Sequence, residues 1–224
     1  MAQGGFRRRL KQQGHTRALS SPQMLEQRIQ QHFIDSADLK YQAAQSLTKP
    51  IADAIQAVLA CVTSGGKVLT CGNGGSAADA QNFSAKFVGR FERERPELGA
   101  IALSADTALL TGVGTYQDFD QVYARQVRAL GQSGDVLLAL SVDGQCANVL
   151  AAVQAAHERE MSVVALTGQG GGPLAQALRE TDVTICVPHD RAPRIHEVHL
   201  LVLHCLCDGV DAQLLGDQEQ ETTT

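Results

Sequence analysis

Apolar residues recur every three or four positions from Met24 to Leu47, which predicts a long amphipathic helix. The repeating apolar positions are Leu25, Ile29, Phe33, Ala37, Tyr41, Ala44 and Leu47. Pro50 suits the first turn of a helix, so a second helix is predicted over 51–62, ended by Gly65 and Gly66. The chain is therefore expected to begin its folded part with two helices.

Short apolar strands then alternate with helical segments. The predicted strands are Val68–Cys71, Ala100–Leu103, Val136–Leu140, Val163–Leu166 and Val183–Val187. The predicted helices are Ala77–Gly89, Phe119–Leu130, Asn148–Glu160, Leu174–Glu180 and Arg191–Leu214. This alternation predicts an α/β fold in which helices cover both faces of a parallel sheet. The last helix carries His, Leu and Cys on several faces, which favours burial in a subunit interface.

Composition divides the chain into three parts. Residues 1–23 carry Arg7, Arg8, Arg9, Lys11 and Arg17 with no acid, and we expect a disordered basic arm. Residues 24–215 are predicted to form a single domain, and 216–224 a loose acidic tail. The net charge is −5 and the arm carries +5, so the remainder carries −10. An acidic body argues against direct sequence-specific DNA binding.

The six cysteines indicate a reducing compartment. None forms a C-x-x-C pair, and Cys61, Cys71, Cys186 and Cys205 lie within apolar runs. We therefore expect reduced thiols and a cytoplasmic location. No uninterrupted apolar stretch approaches the roughly 18–20 residues of a membrane span, so no membrane association is expected.

A glycine-rich turn follows the first strand and opens a helix. Asn73, Gly74, Gly75 and Ser76 are predicted to cradle a phosphate, because glycines permit close backbone approach and a helix N-terminus favours an anion. Ser76 either donates its hydroxyl or caps the helix. A dinucleotide site is disfavoured, since the next candidate acid lies about 30 residues beyond the loop rather than about 20.

The turn after the third strand, 141–146, is the second candidate. Ser141 could donate to a phosphate, whereas the Asp143 carboxylate would repel one. An ordinary strand–helix turn, with Asp143 and Gly144 supplying turn chemistry, is the equal alternative.

Two pairs of helical residues complete the candidates. His196 and His204 lie about 80° apart around the last helix, and Asn82 and Lys86 share a face of the helix after the first loop. Histidines that only pack, and a lysine that only meets solvent, are the alternatives. Leu214 and Leu215 are an apolar pair that suits either a partner contact or packing on a neighbouring helix.

At these residues the chain resembles the sugar isomerase (SIS) domain family, in its phosphoheptose isomerase branch. The matching stretches are Cys71–Gln81, Gly89–Phe91, Glu94–Pro96, Ala124–Val127, Leu166–Gly168 and Arg194–His199. The resemblance implies a five-stranded, flavodoxin-like sheet in a homotetramer with sites between subunits. It also implies an aldose–ketose isomerisation of sedoheptulose 7-phosphate through an enediol, which needs a base and an acid.

The chain departs from that pattern at the reaction site. The resemblance implies histidine, glutamate, glutamine and histidine, which bind zinc in some members, where this chain has Asn82, Lys86, His196 and His204. An ammonium group cannot ligate zinc while protonated, so no metal and no catalytic residue are expected. Three hydroxyls of the second loop are also replaced, and Asp143 adds a negative charge.

The departures favour a non-catalytic interpretation. The chain is similar to the DnaA initiator-associating (DiaA) proteins in Phe91–Pro96, Gln126–Gly131, Cys205–Asp208 and the helix ending at Leu214–Leu215. We therefore predict a tetrameric adaptor that binds the replication initiator through Leu214 and Leu215, promotes its assembly at the origin and retains a phosphosugar cleft. The alternative is an active phosphoheptose isomerase that uses His204 and Lys86, with zinc conceivable only then. A third hypothesis is a sensor that binds a sugar phosphate without turnover.

Overall fold

The structure, a computed structural model, describes residues 21–216. The predictions for the basic arm and the acidic tail fall almost entirely on 1–20 and 217–224, outside the described residues. Contacts divide the chain after Asp38 into two units, and the second, from Leu39, holds the sheet. The helices are α1 Pro22–Thr63, α2 Gly75–Val88, α3 Thr107–Tyr116, α4 Val122–Leu130, α5 Ala147–Glu158, α6 Gly172–Ala177 and α7 Ala192–Leu215. The strands are β1 Val68–Cys71, β2 Ala100–Ala102, β3 Val136–Leu140, β4 Ser162–Gly168 and β5 Val183–Val187.

The five strands form one parallel sheet in the order β2-β1-β3-β4-β5. The predicted α/β fold, with helices on both faces and a helical N-terminal extension, is confirmed. Side chains of each strand alternate between two apolar clusters, as a sheet buried on both faces requires. In β3, Leu138 and Leu140 face the cluster formed with α1, α2 and α7. Leu137 and Ala139 face the cluster formed with α4 and α5.

The two predicted N-terminal helices are one continuous helix, because α1 passes through Pro50. A proline inside a helix removes one hydrogen bond, and the helix continues here because its buried face continues. Leu47 and Ala54 stand seven residues apart, close to two full turns, so the buried stripe keeps its phase across the proline. The buried positions of α1 are Leu39, Ala43, Leu47, Ala54, Val58 and Cys61.

Helix α3 was not predicted from the sequence. It contains Gly112 and Gly114 and has no buried residue, so the periodic signal that marks the other helices is lacking. Its start carries an overlooked signal, because the Asp106 side chain accepts from the Leu109 N–H at 2.9 Å as a helix cap. The remaining helices lie within three residues of their predicted bounds, and the start of the predicted 119–130 helix is a 3₁₀ turn.

Among residues 21–216, one helix passes a length-and-composition test for crossing a membrane. That helix is α7, with a mean hydropathy of 1.4 over an 18-residue window. Its core-facing side chains, such as Ile195, Val202 and Leu206, are buried in the apolar cluster on one face of the sheet. A core helix passes the same test, so this is weak evidence for a membrane span.

Buried His199 makes the fold sensitive to acid. Its Nε2 donates to the Thr167 carbonyl at 3.0 Å, across α7 and β4. Burial lowers the pKa of His199 from 6.5 to about 4, the Thr167 hydrogen bond opposes this shift, and His196 adds slightly to it. The folded state therefore prefers the neutral imidazole.

We predict that the free energy of unfolding falls by about 2 kcal/mol between about pH 7 and pH 5 because of His199. The folded-state pKa is depressed, so this stability is present above the unfolded pKa and is lost as the pH falls through the folded pKa. Urea unfolding at both pH values measures the change. The His199→Gln variant keeps an amide donor for Thr167 and cannot titrate, so its dependence should be smaller. An equal dependence in both proteins would contradict the assignment.

Candidate functional site

The site lies where the chain leaves β1 and β3. Strand β2 lies on one side of β1 and β3 on the other, so this edge of the sheet holds a topological switch point. In parallel α/β sheets, ligands bind beyond the carboxyl ends of the strands at such a point. Loop 1, residues 72–75 after β1, and loop 2, residues 141–146 after β3, meet there because β1 and β3 are paired.

A reciprocal amide pair ties loop 1 to the helix that follows loop 2. Asn73 Nδ2 donates to Asn148 Oδ1 at 2.8 Å, and Asn148 Nδ2 donates to Asn73 Oδ1 at 2.9 Å. Tyr123 adds a third bond, since its hydroxyl donates to the Gly72 carbonyl at 2.6 Å. Burial raises the pKa of Tyr123, so the phenol keeps its proton. Sequence reasoning selected Asn73 and missed Tyr123 and Asn148, because no local pattern marks a contact across the sheet.

Loop 1 is compact and leaves little room for side chains. Gly74 has a φ of 57°, and a Cβ on Gly75 would lie 2.8 Å from the His196 ring. The N–H groups of Ser76 and Ala77 donate back to the carbonyls of Asn73 and Gly74 at 3.0 and 3.1 Å. Ser76 is buried and follows Gly74, the residue at the cap position, so its hydroxyl does not cap the helix. In the residues predicted to cradle a phosphate, two N–H donors at the start of the helix serve the turn itself.

Loop 2 satisfies its own polar groups. The Ser141 hydroxyl accepts from the Gly144 N–H at 3.1 Å, and the Asp143 carboxylate accepts from the Gln145 N–H at 3.0 Å. Gly144 has a φ of 67° and packs directly on the Gly171 carbonyl, where no Cβ fits. These bonds are those of an ordinary turn and favour the turn interpretation of Asp143 and Gly144.

His196 reaches loop 1 from α7. Its Nδ1 lies 3.2 Å from Asp79 Oδ2 on α2, and an ionised carboxylate only accepts, so Nδ1 carries the proton. The same ring packs against Gly75. Asp79 lies within the matching stretch of the sequence, yet its role as the partner of His196 was not predicted.

Lys86 on α2 and His204 on α7 both contact Phe91, farther from loop 1 than the Asp79–His196 pair. The Lys86 Nζ lies 5.4 Å from the centre of the Phe91 ring, and Phe91 packs against the His204 ring at 5.4 Å between centroids. Burial lowers the pKa of His204 below 6.5, the Lys86 charge lowers it further, and Glu92 acts in the opposite direction. Asn82 is exposed on α2, between Asp79 and Lys86.

The four positions that the resemblance assigns to zinc do not form a metal site in this chain. Residues 21–216 contain no group of three or more His, Cys, Asp or Glu that could hold a metal ion. His196 and His204 are eight residues apart on one helix, a rise of about 12 Å. The Nδ1 of His196 is engaged by Asp79, and Lys86 offers an ammonium without a lone pair. The donor set therefore does not fit zinc.

The predicted partner contact lies at the end of α7. Leu214 and Leu215 are 38% and 39% exposed, so both side chains are partly covered. The following residue, Gly216, accepts through its carbonyl from Arg93 at 2.8 Å. The pair is an exposed apolar edge rather than an extended patch.

Comparison with known proteins defines the class. The profile of the SIS domain family matches residues 31–168, so the chain belongs to the SIS domain family. Within it, the phosphoheptose isomerase of Methylibium petroleiphilum is 67% identical over 196 residues, covering 88% of this chain and 98% of that protein. The phosphoheptose isomerase of Azoarcus sp. is 57% identical over 86% of this chain and 98% of its own length. The chain thus belongs to the phosphoheptose isomerase family.

Solved structures agree with this placement. The phosphoheptose isomerase of Neisseria gonorrhoeae superposes with a TM-score of 0.80 at 48% identity, covering 84% of this chain and 99% of that one. The phosphoheptose isomerase of Francisella tularensis gives a TM-score of 0.80 at 44% identity, covering 83% and 97%.

These relatives overturn the predicted adaptor function. Near-full-length relatives with high identity are phosphoheptose isomerases, and a special likeness to the DiaA proteins is not shown. The prediction of a replication adaptor was wrong because it weighed a few local departures, at Asn82, Lys86 and loop 2, above the similarity of the whole chain. The assignment of Leu214 and Leu215 to the replication initiator loses its basis with it.

We predict that Lys86→Met raises the pKa of His204 toward 6.5, because it removes a neighbouring positive charge and keeps most of the side-chain volume. Titration of the His204 ring protons by NMR measures the shift. Lys86→Arg keeps the charge and serves as the matched control, with a pKa close to that of the wild-type protein. An unchanged pKa in the methionine variant would show that the two groups do not interact.

Proposed function

We propose that this protein is a phosphoheptose isomerase that interconverts sedoheptulose 7-phosphate and its aldose isomer. The observation that carries the proposal is the 67% identity to a phosphoheptose isomerase along 98% of that relative. Identity of that extent supports the proposal that the chain keeps the isomerase activity although its reaction-site residues depart from the pattern that the resemblance implies. The proposal takes up the alternative that sequence analysis left open.

The phosphate end of the substrate belongs, in this proposal, to loop 1. Asn73, Gly74, Gly75 and Ser76 surround the start of α2, where backbone dipoles favour an anion. The Asn73–Asn148 pair supports this assignment, because it fixes loop 1 to the adjacent helix at hydrogen-bond distance. Ser141 and Asp143 of loop 2 remain candidate sugar contacts, although each is already bonded within its own turn.

The chemistry requires a group that moves a proton between neighbouring carbons and one that serves the oxygens. Lys86 and His204 are the candidates, as the sequence predicted for an active enzyme. Burial and the Lys86 charge lower the pKa of His204, and this direction supports a role as proton acceptor. Its contact with Phe91 holds the ring beside Lys86.

We predict turnover of sedoheptulose 7-phosphate by the purified protein in a coupled isomerase assay. His204→Asn should lower kcat by about 100-fold or more, since general acid–base groups contribute that much. His157→Gln is the matched control, because His157 pairs with Asp182 at 2.7 Å on α5, away from the site. Its kcat should stay near the wild-type value. A wild-type protein without turnover would contradict the proposed function.

We also propose that the protein is a homotetramer. An apolar groove of about 140 Å³ runs between α1 and α7 and exposes side chains that a second copy would cover. The groove is lined by eight apolar residues and two polar ones, namely Ala43, Ala44, Leu47, Ile51, Val198, Leu201, Val202 and Cys205 with Lys40 and Thr48. Leu201 is 43% exposed, which is high for a leucine in such a lining.

Light scattering tests the assembly. A tetrameric mass is expected for the wild-type protein, and Leu201→Asp should dissociate it because a carboxylate is costly to bury. Leu214→Asp is the matched control on the same helix outside the groove, and its mass should stay tetrameric. A monomeric wild-type protein would exclude the assembly.

We infer a cytoplasmic location from the thiols. All six cysteines are free, and burial raises the pKa of Cys61 to about 11 and those of Cys71 and Cys207 to about 12. Protonated, buried thiols are poorly reactive, which suits a protein that works in a reducing compartment.

A further inference from the structure

The strongest unassigned feature is a cation beside an imidazole at the place where relatives are expected to carry a carboxylate. Lys86 Nζ lies over the Phe91 ring, and the His204 ring also packs against Phe91. The Phe91 ring thus contacts both the Lys86 ammonium group and the His204 imidazole. Three chain segments contribute, namely α2, the turn after it and α7.

The Lys86 ammonium forms no salt bridge with the described residues. The nearby Arg95 is paired with buried Asp211 at 2.5 Å, and it also donates to the Lys86 backbone carbonyl at 3.1 Å. Arg95 therefore fixes the backbone of Lys86. The Asp211 carboxylate is paired with Arg95 and not with Lys86. Glu92, the residue after Phe91, is the acidic group that acts on His204 here, and it forms no ion pair with Lys86.

A metal ion does not suit this position. A divalent cation at this position would be repelled by the Lys86 charge at close range, which makes binding of the metal less favourable. Lys86 also withholds the oxygen ligand that a glutamate would give, and Asn82 is a weak zinc ligand. The same ammonium is well suited to a negative charge that forms during a reaction.

We propose that Lys86 takes the place of a metal in this enzyme, so that the enediolate oxygen is stabilised by its ammonium group while His204 carries the carbon proton. This inference rests on the proposed isomerase function. In this inference Lys86 acts on the substrate oxygens and His204 acts on the carbon atoms.

The steps balance without a further reactant. His204 takes a proton from C1 of the ketose, the C1–H electron pair forms the C1–C2 double bond, and the carbonyl pair moves onto O2. Lys86 donates a proton to O2, which gives the neutral enediol. Lys86 then recovers a proton from O1 as the C1 carbonyl forms, and the His204 imidazolium returns its proton to C2. Both side chains end in their starting state.

The first experiment measures activity against metal content. The wild-type protein, treated with EDTA and shown to be free of zinc by elemental analysis, should keep its kcat within about two-fold. Lys86→Met should lower kcat by about 100-fold or more with little change in KM, as loss of one preorganised electrostatic group does. Thermal unfolding of both proteins shows whether the variant is folded, and a structural role alone would leave kcat unchanged.

The second experiment builds the metal site that the chain lacks. Asn82→His combined with Lys86→Glu restores three ligands together with His204, so this double variant should bind zinc in calorimetry. Wild-type protein titrated with the same zinc solution should show no binding at that site. The single variant Asn82→His, which keeps Lys86, is the matched control and should also fail to bind.

The outcomes separate the two proposals. Turnover that disappears with EDTA and returns with zinc would overturn the metal-free mechanism and leave the isomerase function standing. Turnover by Lys86→Met within about three-fold of wild type would do the same. No turnover under any condition, with or without zinc, would overturn the isomerase function and this inference with it.

Discussion

The reciprocal hydrogen bonds between Asn73 and Asn148 are the constraint on which the site depends. They join the loop after β1 to the helix after β3, two segments that follow neighbouring strands of the sheet. Asn148 is only 3% exposed, so loss of its partner would leave a buried amide unsatisfied at about 1–3 kcal/mol. Each amide thus holds the other, and Tyr123 secures the same loop through the Gly72 carbonyl. Any ligand held by both loops relies on this spacing.

A second set of contacts sets the position of the reactive groups along α2 and α7. Asp79 meets His196 near the start of both helices, and Arg95 meets Asp211 toward the end of α7. Both side chains of the Arg95–Asp211 pair are almost fully buried, and Arg95 also bonds the last carbonyls of α2, where the helix dipole favours a cation. Removing one partner of such a pair typically costs about 3–5 kcal/mol. Lys86 lies between these two contacts, so its place is determined by the packing of the two helices.

Much of the fold could be predicted from the sequence because strands buried on both faces read as continuous apolar runs. Val68–Cys71, Val136–Leu140 and Val183–Val187 matched to the residue. Helix α3 was missed because none of its residues is fully buried. Pro50 misled because a proline was weighed above the phase of the buried stripe. The two loops of the candidate site follow β1 and β3 as the sequence predicted, whereas the side-chain contacts between distant segments were not predicted. Asp79 with His196 is a contact over 117 residues, and no local pattern encodes it.

The same contrast explains how a local departure is compatible with the proposed isomerase function. In the proposed mechanism, the Lys86 ammonium stands where the resemblance implies a carboxylate, and it supplies the positive charge that the reacting oxygens require. A metal ion would have to be bound from solution to supply that charge, whereas in the proposed mechanism the Lys86 side chain carries it as part of the protein. The exchange is chemically sound only if the ammonium is held beside a neutral proton carrier. Phe91 provides that arrangement by contacting both groups, and the Lys86 charge itself favours the neutral form of His204.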